Sequence, residues 1–153
     1  MLKIEQVKTI KAANECDELL TKLIKSEQKY DLNVKEDFIV YDYYKNLYKN
    51  KNNGLFIAYL DNVPVGFIFG YIKYEEGPLV HNSMAFIDAF FVVEEKRNIG
   101  IGTKIINAFY DWCHEKNVKS IEIGVYKNNK DTLKLYEKYG FITESYYMKK
   151  ELF

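Results

Sequence analysis

An apolar run leads into a turn with two glycines and then into a helical pattern at residues 90–113. Residues 90–93 are Phe-Phe-Val-Val, which is typical of a strand, and Gly100 and Gly102 lie in the turn. The unpaired N–H groups at a helix start, together with the helix dipole, attract an anion. Glycine lets the main chain approach that anion closely. We therefore expect a strand, a turn and a helix whose start binds a phosphate or pyrophosphate. An ordinary turn is the alternative, because Gly-x-Gly pairs are common.

Composition and charge limit the class of protein. The chain has 153 residues, of which 48% are hydrophobic, and this favours one globular domain over residues 1–153. Lys plus Arg and Asp plus Glu both total 22, so the formal net charge of zero argues against a nucleic-acid partner. The sequence has no apolar run of membrane-spanning length and no signal-peptide core at its start. We expect a cytoplasmic protein that has no membrane partner.

The cysteines and histidines do not form a metal-binding pattern. Cys16 and Cys113 are far apart in the sequence, and His81 and His114 are the only two histidines. We therefore expect no metal site and no disulfide framework.

The hydrophobic pattern predicts a succession of strands and helices. Short apolar runs and period-two alternation predict strands, and apolar residues three to four apart predict helices. The strands on either side of the helix at 103–113 must be parallel, because a helical crossover joins them. The predicted strands are residues 2–7, 54–60, 65–74, 84–93, 120–126 and 141–153, and the predicted helices are residues 12–29, 36–50, 103–113 and 130–139.

A second pattern follows the predicted strand at 120–126. Asn129 is followed by Leu135-Tyr136 and then by Gly140-Phe141. Together with residues 97–102, Arg-Asn-Ile-Gly-Ile-Gly, this pattern resembles the GNAT superfamily of acyl-CoA-dependent N-acetyltransferases over nearly the whole chain. The departures are small: Asn98 stands where the family usually has Gly, and Thr132 where it has Ala. The resemblance implies the GNAT fold. This is an α/β (α+β) architecture with a mixed, mostly antiparallel sheet of about six or seven strands and about four helices, in which two strands splay apart at the acetyl-CoA site.

The resemblance also implies a donor site for acetyl-CoA. Main-chain amides of residues 98–103 would hold the pyrophosphate, residues 91–93 would pair with the pantetheine arm, and Asn129 would bond the arm or its neighbouring backbone. Tyr136 would protonate the leaving thiolate. The implied cofactor-binding residues are Phe91, Val92, Val93, Arg97, Asn98, Ile99, Gly100, Ile101, Gly102, Thr103, Asn129 and Tyr136.

The reaction also needs a base and an oxyanion donor. A lysine-like amine has a pKa of about 10.4, so its deprotonation at pH 7 costs roughly 4.6 kcal/mol. A carboxylate can accept that proton, directly or through a water. Asp88 is similar to the acidic residue before Phe-Phe-Val in the spermidine/spermine acetyltransferase branch, and a solvated or ion-paired strand residue is the alternative for it. A main-chain N–H near Val92 would stabilise the oxyanion. The runners-up for the base are Glu75, Glu76, Glu122 and His81.

The acceptor is less constrained than the donor. Several acidic residues would suit a small cationic amine such as a polyamine or an aminoglycoside, although they are equally explained as solvated loop charges. The tyrosines of the predicted helix at 36–50 form a core face or line an acceptor pocket. A protein or peptide N-acetyltransferase and a non-catalytic CoA-binding module are alternative functions, and the segment at 146–148 is a candidate homodimer contact. The acidic residues are Asp31, Glu36, Asp37, Asp42, Glu75, Glu76 and Asp88.

Overall fold

A computed structural model describes residues 1–75, 77–78 and 82–153 of the chain. These residues form one five-stranded sheet of order β1-β2-β3-β4-β5, in which only the β4–β5 pair is parallel. This mixed sheet with flanking helices confirms the predicted fold class, with fewer strands and helices among the described residues than expected. The strands are β1 (Leu2–Gln6), β2 (Asn53–Leu60), β3 (Val63–Tyr74), β4 (Ser83–Val92) and β5 (Ser120–Ile123). The helices are α1 (Ile10–Glu27), α2 (Ile101–Glu115) and α3 (Lys130–Lys138), with 3₁₀ turns at Tyr44–Asn46 and Glu94–Lys96.

The two long helices lie on opposite faces of the sheet. On β3, a Cβ added to Gly70 would lie 2.4 Å from Cζ of Phe109, so α2 packs directly against this glycine. Neighbouring strand residues point to opposite faces, and Phe69 accordingly faces the other side. There its ring centroid is 5.1 Å from that of Tyr44, in the segment that follows α1. We call these the α2 face and the α1 face of the sheet.

The predicted helix at residues 36–50 is wrong, because only Tyr44–Asn46 form a short 3₁₀ turn there. The buried carboxylate of Asp17 in α1 accepts the main-chain N–H groups of Tyr43 (3.3 Å) and Tyr44 (3.0 Å). Thr21 Oγ1 accepts the N–H of Val40 at 3.0 Å. Side chains of α1 therefore accept hydrogen bonds from main-chain N–H groups that would otherwise have bonded within a second helix. The apolar pattern of the segment reflects burial of aromatic residues against α1 and the sheet.

The predicted strand at residues 141–153 is also wrong, since the chain after α3 joins no strand in the described part of the structure. Its large side chains are exposed, with 86% of Tyr146, 98% of Tyr147 and 88% of Met148 accessible. A strand needs a hydrogen-bonded neighbour to be stable. The alternation of apolar and polar residues within one segment does not supply that neighbour. Likewise β5 ends at Ile123, three residues before the predicted end.

Candidate active site

The parallel strands β4 and β5 separate halfway along β4. Their pairing runs from Met84 opposite Ser120 to Ile87 opposite Ile123, where β5 ends. β4 continues to Val92, and no other described strand pairs with it on that side. This confirms the predicted splay and leaves an open strand edge beside residues 88–92. We call this opening the gap.

The main-chain groups that face the gap are those of Phe90 and Val92. Successive residues of an antiparallel strand direct their main-chain groups to alternate sides. The N–H of Val93 donates to the oxygen of Val65 in β3 at 2.9 Å, so Val93 and Phe91 face β3 with their main chain. Of the three residues expected to pair with an extended arm, only Val92 therefore faces the gap. Phe90, which sequence reasoning did not include, joins it.

Asp88 lies at a β-bulge beside the point where the strands separate. Phe69 pairs with Ala89 and Gly70 pairs with Ile87, so Asp88 has no partner residue on β3. A bulge interrupts the alternation of a strand and re-aims a side chain. The charge of Asp88 contributes to raising the pKa of Tyr44, which lies on the α1 face. Although its side chain is exposed, partial desolvation by its surroundings raises the pKa of Asp88. The structure thus brings this candidate base to the inner end of the gap.

The segment that follows β4 brings uncapped amides to the start of α2. Asn98 and Gly100 have left-handed backbone, with φ of 65° and 88°. Asn is one of the few residues besides glycine that adopts this conformation readily, which accounts for Asn98 in place of the usual Gly. Within the described ranges no side chain caps the start of α2. Its first N–H groups are therefore free to bind an anion. The remaining predicted donor residues of this stretch, Ile99, Ile101, Gly102 and Thr103, lie in this turn and in the first turn of the helix.

Arg97 links the end of β4 to this turn through a hydrogen bond. Its Nε donates to the main-chain oxygen of Val92 at 2.8 Å, and its guanidinium carbon lies 5.5 Å from the ring centroid of Phe91. The carbonyl of Val92 is therefore occupied by Arg97. Its N–H remains the group through which Val92 meets the gap.

The third helix brings Tyr136 to the α2 face of the gap. Tyr136 is only 6% exposed, and its ring centroid lies 6.2 Å from that of Phe90 and 5.6 Å from that of Phe141. Burial raises the pKa of Tyr136, which keeps its hydroxyl protonated and able to donate. Asn129 caps α3 by accepting the N–H of Thr132 at 3.2 Å. This bond satisfies one of the N–H groups at the start of α3.

A group of residues that sequence reasoning did not connect closes the α1 face of the gap. The hydroxyl of Tyr126, after β5, donates to Oδ2 of Asp31 at 3.1 Å, and its ring stacks on Tyr30 with centroids 6.3 Å apart. Glu27 is the last residue of α1 and directly precedes this contact. Partial burial, followed by the charges of Asp31 and Asp88, raises the pKa of Glu27. The charge of Glu27 also contributes to raising the pKa of Tyr136. Glu27 has no signal in the sequence, where it is one more polar residue on an amphipathic helix.

Among the described runners-up for the base, Glu75 and Glu122 do not lie beside residues 88–92. Glu122 pairs with Phe86, before the strands separate. Glu75 follows β3 and is exposed, and Glu76 and His81 lie outside the described residues. Glu36, Asp37 and Asp42, which were predicted to suit a cationic acceptor, are exposed.

The cysteines do not contribute to the gap. Cys16 and Cys113 are both buried, and burial raises their thiol pKa values, that of Cys113 to about 12. In residues 1–75, 77–78 and 82–153 no group of three His, Cys, Asp or Glu side chains is arranged to hold a metal ion. No helix among them is long and apolar enough to cross a membrane.

Comparison with known proteins agrees with this geometry. The model of the acetyltransferase (GNAT) family matches residues 18–141. An uncharacterized N-acetyltransferase of Methanocaldococcus jannaschii is 28% identical over 99 residues, which are 65% of this chain and 43% of that protein. The chain thus spans less than half the length of this curated relative.

Two solved structures show the same fold. A mutant of the BH1408 protein from Bacillus halodurans has a TM-score of 0.84 and 16% identity, with 99% of each chain covered. The aminoglycoside acetyltransferase AAC(6')-Iy, in complex with a bisubstrate analogue of CoA, has a TM-score of 0.74 and 18% identity, again with 99% of each chain covered. Both similarities concern the fold.

Proposed function

The chain belongs to the acetyltransferase (GNAT) family, and from that premise we propose that it transfers an acetyl group from acetyl-CoA to a primary amine of a small cationic acceptor. The observation that carries the proposal is the gap, because each face of the sheet brings different functional groups to it. Tyr136 and the start of α2 lie on the α2 face, and Glu27 and the groups near Asp88 lie on the α1 face. A donor thioester and an acceptor amine can therefore meet at Val92.

The reaction is a direct transfer without a covalent enzyme intermediate. The neutral amine nitrogen attacks the thioester carbonyl carbon, and the carbonyl oxygen becomes an oxyanion that the N–H of Val92 stabilises. The C–S bond then breaks and Tyr136 gives its proton to the departing sulfur. The proton lost by the amine passes to Asp88, directly or through one water. The pKa of Asp88 is raised, which brings that pKa closer to the pH at which the carboxylate must accept the proton.

The carboxylates around the gap favour a cationic acceptor. Glu27, Asp31 and Asp88 lie close enough together for their charges to affect the pKa of Glu27. Asp31 is ionised readily, because the main-chain N–H of Asn33 and then the hydroxyl of Tyr126 lower its pKa. A second ammonium group on the acceptor would meet these carboxylates. The fold similarity to an aminoglycoside acetyltransferase supports the same class of small polycation.

The C-terminal segment supports a proposal about assembly. Its exposed residues Tyr146, Tyr147 and Met148 follow a helix that leaves the outer edge of β5 open among the described strands. We propose that two chains form a homodimer through this segment. Light scattering after size-exclusion chromatography checks it, because Tyr147→Asp should shift the mass from two chains to one. A wild-type mass of one chain at micromolar concentration contradicts it.

Release of free thiol tests the proposed reaction. Purified protein is mixed with acetyl-CoA and a panel that contains a polyamine, an aminoglycoside and lysine-containing peptides. We expect thiol release with the small polycations, and product analysis should show one acetyl group on an amine. Thiol release with peptides alone would move the function to protein acetylation. Tight CoA binding without thiol release from any amine would contradict catalysis and favour a CoA-binding module.

A further inference from the structure

A groove of about 800 Å³ lies between α1 and the C-terminal end of β4. The buried residues Phe91 and Val93 form part of its lining, and both precede the turn that leads to α2. Ligand pockets commonly have volumes of about 300–1,000 Å³. The groove is therefore large enough to take part of a coenzyme that also occupies the gap.

Positive charge dominates the rim of this groove. Lys22 and Lys25 are three residues apart on one face of α1, and Lys29 follows in the turn after the helix. All three are exposed, and none forms an ion pair with another described residue. Arg97 lies on the opposite wall, and Glu94 and Glu95 are the two acidic residues of the lining.

The groove adjoins the proposed donor site. An arm bound along the open edge of β4 at Val92 continues past Val93 to Arg97 and the start of α2. The helix start supplies N–H groups and the equivalent of about half a positive charge. The diphosphate and 3′-phosphate of CoA carry several negative charges, so this turn by itself does not balance them. The lysines on α1 line the same groove as Arg97.

We propose that Lys22 and Lys25, with Lys29 beside them, form a second wall of the donor site that binds the phosphate groups of CoA opposite the start of α2. This inference rests on the proposed function only in taking CoA as the donor. It adds a binding surface on α1, outside the two sequence patterns that predicted the site. The lysine stems cover the groove, and their ammonium groups are long enough to reach phosphates held at its rim.

Lysines near the end of a helix also have a structural explanation. Cations in the last turn stabilise the helix dipole, and Lys25 lies in the last turn of α1. A test must therefore separate ligand affinity from stability. Lys8 and Lys11, at and just before the start of the same helix, offer controls because they are exposed and do not line the groove; Lys11 has an ion pair with Glu15 at 4.0 Å.

The experiment is a calorimetric titration of the full chain with CoA and with S-acetylpantetheine, which carries no phosphate. For Lys22→Glu/Lys25→Glu we expect the Kd for CoA to rise about tenfold, because two attractive charges become repulsive, and to depend less on salt than in the wild type. The Kd for S-acetylpantetheine should stay within twofold. Lys8→Glu/Lys11→Glu should leave the CoA titration unchanged.

Several results would overturn the proposal. These are an unchanged Kd for CoA in the groove variant, an equal loss in the control variant, or an equal loss for S-acetylpantetheine. Lys22→Gln/Lys25→Gln removes both charges with a good helix former, so it answers the same question if the glutamate variant is less stable. Wild-type protein that binds CoA but releases no thiol would remove the proposed reaction and leave this titration interpretable.

Discussion

Arg97 donates from Nε to the main-chain oxygen of Val92 at 2.8 Å, and this bond joins the end of β4 to the turn that begins α2. The bond spans the two parts of the proposed donor site, the strand edge and the helix start. It also occupies the carbonyl of Val92, so the N–H is the main-chain group of that residue left for the acyl group or the arm.

Arg97 should therefore act through this hydrogen bond more than through its charge. For Arg97→Lys we expect the KM for acetyl-CoA to rise almost as much as for Arg97→Ala, about three- to tenfold, because lysine keeps the charge but lacks the planar fork. Steady-state kinetics with a fixed amine measures this. Full recovery of the wild-type KM in Arg97→Lys would show that charge alone matters.

Tyr136→Phe should lower kcat and leave CoA binding nearly unchanged. The hydroxyl is proposed to protonate the leaving sulfur, and general acids typically contribute about 10²–10⁴-fold to the rate. The ring would remain packed on Phe90 and Phe141, so the Kd for CoA should stay within twofold. Tyr110→Phe, on a half-buried tyrosine of α2, is the control and should retain wild-type kcat. Wild-type turnover in Tyr136→Phe would remove Tyr136 from this role.

Asp88→Asn should lower activity and raise stability at pH 7. Desolvation raises the pKa of Asp88 in the folded state, so the folded chain holds this proton more tightly than the unfolded chain. The contribution of Asp88 to stability is present at low pH and is lost as the pH rises from the unfolded pKa through the folded pKa. At pH 7 the ionised carboxylate therefore costs stability, and Asp88→Asn should raise Tm there with little change at pH 3.

The activity of the same variant gives the second half of this test. In the wild type, kcat/KM should rise with pH as Asp88 ionises, and that limb should disappear in Asp88→Asn together with most of the rate. Glu75→Gln, on an exposed carboxylate outside the gap, is the matched control. An intact pH–rate profile in Asp88→Asn would exclude Asp88 as the base and leave Glu27 as the nearest alternative.

Asp17→Ala should destabilise the segment that carries Tyr43 and Tyr44. Its carboxylate accepts both main-chain N–H groups, and the N–H of buried Tyr44 would lose its partner. We expect a loss of about 2–3 kcal/mol in the free energy of unfolding, the range for removing a charged partner from a buried donor. Urea denaturation measures it, and Glu18→Ala on the exposed side of α1 should cost less than about 0.5 kcal/mol. Equal losses in the two variants would contradict the role of Asp17.

Two segments of the chain show why sequence reasoning failed in places. Residues 36–50 have helical spacing, but Asp17 and Thr21 bind their main chain and bury Tyr44 without a helix. Residues 141–153 have strand composition, but a strand forms only where a neighbouring edge is available. In both cases the outcome depends on hydrogen-bond partners that are distant in the sequence. The hydrophobic periodicity of a segment holds no information about those partners.

The sequence by itself determined the strand, the turn at Asn98 and Gly100, and the helix whose start we propose as an anion site. These follow from local backbone preferences and from hydrophobic spacing over short stretches, and the pattern from Asn129 to Phe141 identified the family. Only the tertiary structure decided which main-chain groups line the gap, that Asp88 lies at a bulge, and that the charge of Asp88 acts on Glu27. Those features depend on strand register and on packing between distant segments. The proposed donor residues can therefore be found from the sequence, and the proposed acceptor residues cannot.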